Sequence, residues 1–110
     1  MTGISTHVLD TSLGRPAAGV PVELALRTAG GWTVLGTSAT DSDGRVTDLP
    51  AVAAGSVVRL LFDTAAYGAG PDGPPFFPEV SVVFAVAPEQ RHYHVPLLLS
   101  PFGYSVYRGS

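Results

Sequence analysis

Three histidines, His7, His92 and His94, are the only side chains of this chain whose ordinary pKa lies near neutral pH. Their placement decides which chemistry is open to it. His7 sits in Ile4–Asp10, where Ile4, Thr6 and Val8 share one face of an extended segment. Strand side chains alternate, so His7 points away from that face. There it can be a strand histidine in a polar patch, or a general acid or base. His92 and His94 are two apart and share a face of one strand. With a third histidine they could bind zinc, but no Asp or Glu stands beside them at ligand spacing and the chain has no Cys. The alternative is one or two catalytic or interface histidines. Arg45 follows Asp41-Ser42-Asp43-Gly44. That segment opens like a calcium loop, but no Glu closes it, and it reads as a turn. An arginine held by such a turn is either a solvated charge or a clamp for an anion or carbonyl.

Composition removes other classes. Net charge is −3, with nine acidic and six basic residues, which argues against nucleic acid or an anionic membrane as partner. All six basic residues are Arg, so lysine Schiff-base chemistry is excluded. Without Cys there is no disulfide, thiol nucleophile or thiolate metal site. Ser5, Ser12, Ser100, Ser105 and Ser110 offer hydroxyls, but no Gly-x-Ser-x-Gly elbow and no glycine-rich phosphate loop occurs. The start, Met1-Thr2-Gly3-Ile4, does not read as a signal peptide, and no apolar run approaches membrane-spanning length. A cytoplasmic location is expected. Charged residues are only 14% of the chain, leaving an apolar surface that suggests burial in an oligomer.

The elements that must position these residues are short strands. Thirteen Gly and ten Pro punctuate runs rich in Val, Leu, Thr and aromatics, the pattern of an all-β sandwich or barrel. Strands are expected at Ile4–Asp10, Val20–Leu26, Trp32–Thr40, Arg45–Leu49, Val57–Asp63, Glu79–Val86, Arg91–Leu99 and Gly103–Arg108. Thr11–Gly19 is expected as a loop and Thr64–Tyr67 as one helical turn, ended by the Gly-Pro-rich stretch Gly68–Pro75. The 110 residues allow one domain, 1–110. Chain ends usually fray. The apolar run Leu97-Leu98-Leu99 and the aromatic segment after it nevertheless predict a docked tail. That tail carries the phenol, guanidinium and hydroxyl of Tyr107, Arg108 and Ser110.

Several segments carry a more specific likeness. They are Thr6-His7-Val8-Leu9-Asp10-Thr11, Gly14-Arg15-Pro16-Ala17, Asp43-Gly44-Arg45, Phe62-Asp63-Thr64 and Phe76-Phe77-Pro78-Glu79-Val80. His92-Tyr93-His94-Val95-Pro96-Leu97-Leu98-Leu99-Ser100-Pro101 and Tyr107-Arg108-Gly109-Ser110 complete the set. In order and spacing the chain resembles the transthyretin-related 5-hydroxyisourate hydrolase family almost end to end. The resemblance implies a transthyretin (prealbumin)-like sandwich of two four-stranded sheets with one short helix. It implies a homotetramer with sites in a channel where dimers meet. The implied reaction is hydrolysis of 5-hydroxyisourate to 2-oxo-4-hydroxy-4-carboxy-5-ureidoimidazoline in urate degradation, with no metal or organic cofactor. The family's catalytic positions fall on His7, Arg45 and His94, and its substrate-binding tail positions on Tyr107 and Ser110. His92 aligns with a variable position and reads as structural. Val106 stands where the family commonly has Ser or Thr. A small-molecule carrier of the same fold is the rival reading, though carriers lack the set His7, Arg45, His94 and tail. An immunoglobulin-like structural module would also fit eight short strands.

Overall fold

The computed structural model of the chain describes residues 1–68 and 73–109. Strand β1 (Gly3–Asp10) follows the expected alternation. Ile4, Thr6 and Val8 are buried on one face, and His7 and Leu9 are half-buried on the other. It is followed by β2 (Arg15–Pro16), β3 (Pro21–Thr28), β4 (Gly31–Ala39), β5 (Arg45–Val46) and β6 (Val57–Phe62). A four-residue helix, α1 (Thr64–Tyr67), precedes β7 (Val80–Ala85), β8 (His92–Leu99) and β9 (Tyr104–Val106).

These strands form two sheets. One has the order β4-β3-β6-β7, antiparallel throughout. The other runs β2-β1-β8-β9, with β5 also on β1. β5 pairs with Thr6 and His7 while β2 pairs with Leu9 and Asp10. β8 takes the opposite edge of β1, so β2 and β5 follow one another along a single edge. The sheet is therefore four strands wide, as expected, with its outermost strand in two pieces. β1 and β8 are parallel, from Gly3 opposite His92 to Asp10 opposite Leu99.

Most strand ends lie within a residue of expectation, β9 covers only Tyr104–Val106 of the expected Gly103–Arg108, and two further differences change the pairing. The Thr11–Gly19 loop folds back far enough to contribute β2. The strand expected over Arg45–Leu49 stops at Val46, because the chain leaves β1 there and rejoins it only where Val52 bridges Thr2. In β4 the pairing with β3 slips between Leu24 and Ala25. Leu35 is the extra residue, a bulge on a sheet edge.

The core lies between the sheets. Val8 and Leu97 from one meet Val22, Leu24, Val58, Leu60 and Phe62 from the other, all at 2% exposure or less. Truncating Phe62 to Ala would cost about 3–5 kcal/mol. Polar groups that enter this layer carry their own partners: Thr6 Oγ1 donates to the Val95 carbonyl at 2.6 Å, tying β1 to β8 from within. Helix α1 is too short to stand alone. It is fixed by Asp63, which accepts from the Ala66 N–H at 3.0 Å, and by Thr64, whose hydroxyl donates to the Phe77 carbonyl. Gly68 ends it at φ 106°, where the Gly-Pro-rich stretch is expected to stop the helical turn. Residues 69–72 of that stretch lie outside the described residues. No helix among the described residues is long and apolar enough to cross a membrane.

Candidate active site

The outer face of the β2-β1-β8-β9 sheet gathers every histidine of the chain. Directly opposed side chains on neighbouring strands share a face. Arg45 on β5 is opposite His7, and His94 on β8 is opposite Ser5. His92 is opposite Gly3, one pleat further along. Val46, next to Arg45, turns inward at 1% exposure, which leaves Arg45 on the histidine side. The three residues expected to act together, His7, Arg45 and His94, thus come from three strands onto one surface.

Arg45 and His7 are anchored through one turn. The Asp41 carboxylate accepts the backbone N–H groups of Asp43 and Arg45, each at 2.9 Å. The Arg45 N–H bond is the main reason the Asp41 carboxyl titrates below its usual range. Gly44 takes φ 76°, and a Cβ there would stand 2.4 Å from the Val8 carbonyl. Only glycine lets the turn press against β1. That contact brings the Asp43 carbonyl within 2.8 Å of His7 Nε2. A carbonyl only accepts, so Nε2 carries the hydrogen, and neutral His7 has its lone pair on Nδ1.

His94 is held differently. Its Nδ1 lies 2.9 Å from Ser5 Oγ, and the same hydroxyl lies 2.8 Å from His92 Nε2. Ser5 therefore sits between the two histidines. Among the described residues no three His, Asp or Glu side chains converge as metal ligands. The proton affinity of His94 is lowered, first by desolvation and then by the positive fields of Arg45, His7 and His92. His94 is thus neutral at pH 7 with Nε2 unengaged by any described group.

The tail docks as expected and runs past His94. β9 pairs with β8 from Leu97 to Leu99. Beyond it, the Tyr107 N–H donates to the Pro96 carbonyl at 3.3 Å and the Gly109 N–H to the His94 carbonyl at 2.7 Å. A Cβ at Gly109 would stand 3.0 Å from His94 Cδ2, so glycine lets the tail pass flat against the imidazole. The Tyr107 side chain is exposed and borders a cleft of about 350 Å³ between β7 and β9, with Val82, Phe84 and Val106. Arg108 reaches Gln90 and lies over the Tyr93 ring. Ser110 lies outside the described residues.

The clefts beside Asp10, Phe84 and Glu23 are lined by described residues other than His7, Arg45 and His94. The histidine face is an open surface in one chain. Sequence reasoning found its histidines and arginine, named Ser5 only among the hydroxyls that form no serine-hydrolase elbow, and gave Gly3, Gly109 and the Asp43 carbonyl no role at the site. Alternation alone puts Ser5 on the His7 face. No local signal shows that β8 lies alongside, which is what gives Ser5 its two partners.

Known proteins share both this fold and this sequence. The profile of the family described as HIUase/Transthyretin matches residues 4–109. A 5-hydroxyisourate hydrolase of Salmonella dublin is 46% identical over 109 residues, covering 97% of this chain and 80% of that protein. A solved 5-hydroxyisourate hydrolase of Klebsiella pneumoniae superposes with a TM-score of 0.84 at 33% identity, covering all of both chains. Sea bream transthyretin, solved in complex with thyroxine, superposes at 0.88 with 35% identity over 97% of this chain and 94% of its own. With its two sheets, its short helix and near-complete coverage by that profile, the chain belongs to the HIUase/Transthyretin family.

Proposed function

We propose that this chain hydrolyses 5-hydroxyisourate to 2-oxo-4-hydroxy-4-carboxy-5-ureidoimidazoline in urate degradation. The observation that carries this reading is the pair of half-buried imidazoles on one sheet face. Each is fixed through one ring nitrogen, and among the described residues each leaves the other nitrogen unengaged, beside Arg45. The hydrolase identity of relatives such as that of Salmonella dublin supports it.

Opening a lactam needs a water deprotonated, a carbonyl polarised and a nitrogen protonated as it leaves. His94, kept neutral by burial and by its cationic neighbours, takes the proton of the attacking water on Nε2. The water oxygen bonds to the lactam carbon. The Arg45 guanidinium meets the negative charge that develops on the carbonyl oxygen. The carbon–nitrogen bond then breaks, and the proton held on His94 passes to the leaving nitrogen. His7, with Nε2 anchored on Asp43, presents Nδ1 to orient the water. Tyr107 and Ser110 bind the substrate from the tail, and no metal or cofactor is required.

In this reading residues 1–110 are one catalytic domain, the protein acts in the cytoplasm, and it works as a homotetramer. The open histidine face becomes a walled channel only when another copy covers it. The carrier reading draws support from the sea bream transthyretin–thyroxine complex. It leaves the two unengaged imidazole nitrogens without a task. The deciding experiment follows 5-hydroxyisourate absorbance just after urate oxidase has formed it. Faster loss with purified protein is the expected result, and an unchanged decay overturns the hydrolase reading. Sedimentation equilibrium tests the assembly: a monomer at micromolar concentration would sink the channel.

A further inference from the structure

The Ser5 hydroxyl has one hydrogen and lies within hydrogen-bond distance of two imidazoles. Only two ordered arrangements use it on a ring. Ser5 can accept from His94 Nδ1–H and donate to His92 Nε2, or donate to His94 Nδ1 and accept from His92 Nε2–H. They have opposite consequences for His94. The first leaves the lone pair of neutral His94 on Nε2. The second puts a hydrogen there, and Nε2 cannot then accept a proton.

We propose that Ser5 and His92 are positioning residues for His94, forming a relay in which His94 Nδ1–H donates to Ser5 Oγ and Ser5 O–H donates to His92 Nε2. The inference rests on the reading of His94 as the base. Its physical content is that only this direction serves a base through a whole cycle. When His94 takes a proton on Nε2, its Nδ1–H bond to Ser5 remains, and neither the hydroxyl nor His92 has to move. In the reverse direction the hydroxyl must turn before His94 can be charged. A group that needs no reorganisation at the moment of reaction is the more effective one.

The packing supports a built relay. His92 is seated against Gly3, where a Cβ would stand 2.8 Å from its Nδ1, and its carbonyl accepts from Gln90 Nε2 at 3.0 Å. His94 is seated against Gly109. Both rings are thus pressed onto backbone at glycines, and the 8%-exposed Ser5 lies between them. The charged and titratable groups near His94 are Arg45 from β5, His7 from β1, and His92 from its own strand. The tail adds Arg108, whose guanidinium is drawn to Tyr93 and Gln90. Among the described residues these neighbours are cationic or neutral, and none of them offers the carboxylate that commonly orients a catalytic imidazole. The Ser5–His92 pair takes that place.

The test reads tautomers directly, by nitrogen NMR of the imidazoles in the intact assembled protein at a pH where all three are neutral. His94 should carry its hydrogen on Nδ1, with Nε2 bare. Ser5→Ala should release that preference toward the Nε2–H form that free histidine favours. It should also lower kcat about tenfold or more while KM changes only a few-fold. Ser5→Thr, which keeps the hydroxyl, should restore both. His92→Leu, which removes the acceptor, should shift the His94 tautomer in the same direction with a smaller loss in kcat. A wild-type His94 protonated on Nε2 overturns the relay whatever the variants do, so the test does not depend on Ser5→Ala folding. An unchanged tautomer and kcat in Ser5→Ala overturns it as well. Wild-type protein that does not hydrolyse the substrate overturns the function proposed above, and the ring-nitrogen signals then still decide the relay.

Discussion

Strand β1 carries two polar clusters three residues apart, one at His7 and one at Asp10, and they are built on opposite plans. At Asp10 every acceptor is used. Oδ1 accepts the Ser12 and Leu13 N–H groups at 3.0 and 3.1 Å, and Oδ2 accepts the Tyr67 hydroxyl at 2.7 Å. Burial works against the charged carboxylate, but these hydrogen bonds outweigh it and its pKa is lowered. Tyr67 is correspondingly raised, by desolvation first and then by its bond to Asp10. The cluster pins helix α1 and the Ser12 turn to the sheet and leaves neither carboxylate oxygen without a partner. At His7 and His94 the hydrogen bonds from described residues fix each ring by one nitrogen. A closed cluster holds the fold; an open one has capacity to bind or to move a proton.

Substitutions should separate the two. In the open cluster, His94→Asn and His7→Asn should each slow hydrolysis by about 10²–10⁴, the range for a lost acid–base group. Thermal stability should change little, since neither ring lies in the core. Arg45→Lys should cost about 10²-fold in kcat, because a point charge replaces a planar fork at the carbonyl. Arg45→Gln sharpens the point through pH. The positive charge of Arg45 helps to depress the His94 pKa below 6.5. A base with a depressed pKa keeps its lone pair to lower pH, so the acid limb of kcat/KM in the wild type should lie below that value. Removing the charge should move the limb upward, while Arg45→Lys should leave it in place. Deleting Tyr107–Ser110 removes the Gly109 contact along His94 and should lower the rate about tenfold or more. The oligomeric state measured for the wild type should persist.

The closed cluster should answer in stability instead. Tyr67→Phe should cost about 1–2 kcal/mol at pH 7, the value of a hydrogen bond to a charged acceptor. It should leave hydrolysis unchanged. The sign with pH follows from Asp10. Its folded pKa is below its unfolded one, so its stabilisation is present above the unfolded value and disappears as pH falls through the folded one. Denaturation midpoints of wild type and Tyr67→Phe should therefore converge in acid. A Tyr67→Phe protein that loses activity while its midpoint holds would erase the distinction between the clusters.

Much of this arrangement could be read in the sequence, and what could not has a common cause. Alternation in Ile4–Val8 and in Val20–Leu26 placed the core face and turned His7 away from it, because period-2 patterning is a local property. The Asp41–Gly44 turn announced itself through residue types with known conformational habits. Arg45–Leu49 failed as a strand because its extent depends on when the chain leaves β1. Ser5 was invisible for the same reason. Its two partners lie more than eighty residues away in sequence and reach it only through the parallel pairing of β1 with β8. Strand pairing is a long-range choice, and a single sequence does not display it.

The smallest expected effect bears most directly on how the open cluster works. From the sequence, His92→Asn should stay within a few-fold of wild type although His92 shares a strand face with His94, the proposed base. The relay gives that expectation a physical basis. Asn keeps a carbonyl oxygen that can accept the Ser5 O–H, so the hydroxyl stays turned and His94 keeps its bare Nε2. His92→Leu keeps comparable bulk but offers no acceptor, and should be clearly slower than His92→Asn. The two variants share the loss of the imidazole and differ in the hydrogen bond, so their ratio isolates the relay from any bulk effect of removing a ring. Equal rates for the two would reduce His92 to a packing residue beside the site. A His92→Asn loss as large as that of His94→Asn would instead mean that His92 exchanges protons itself. The two neighbours would then have to trade roles.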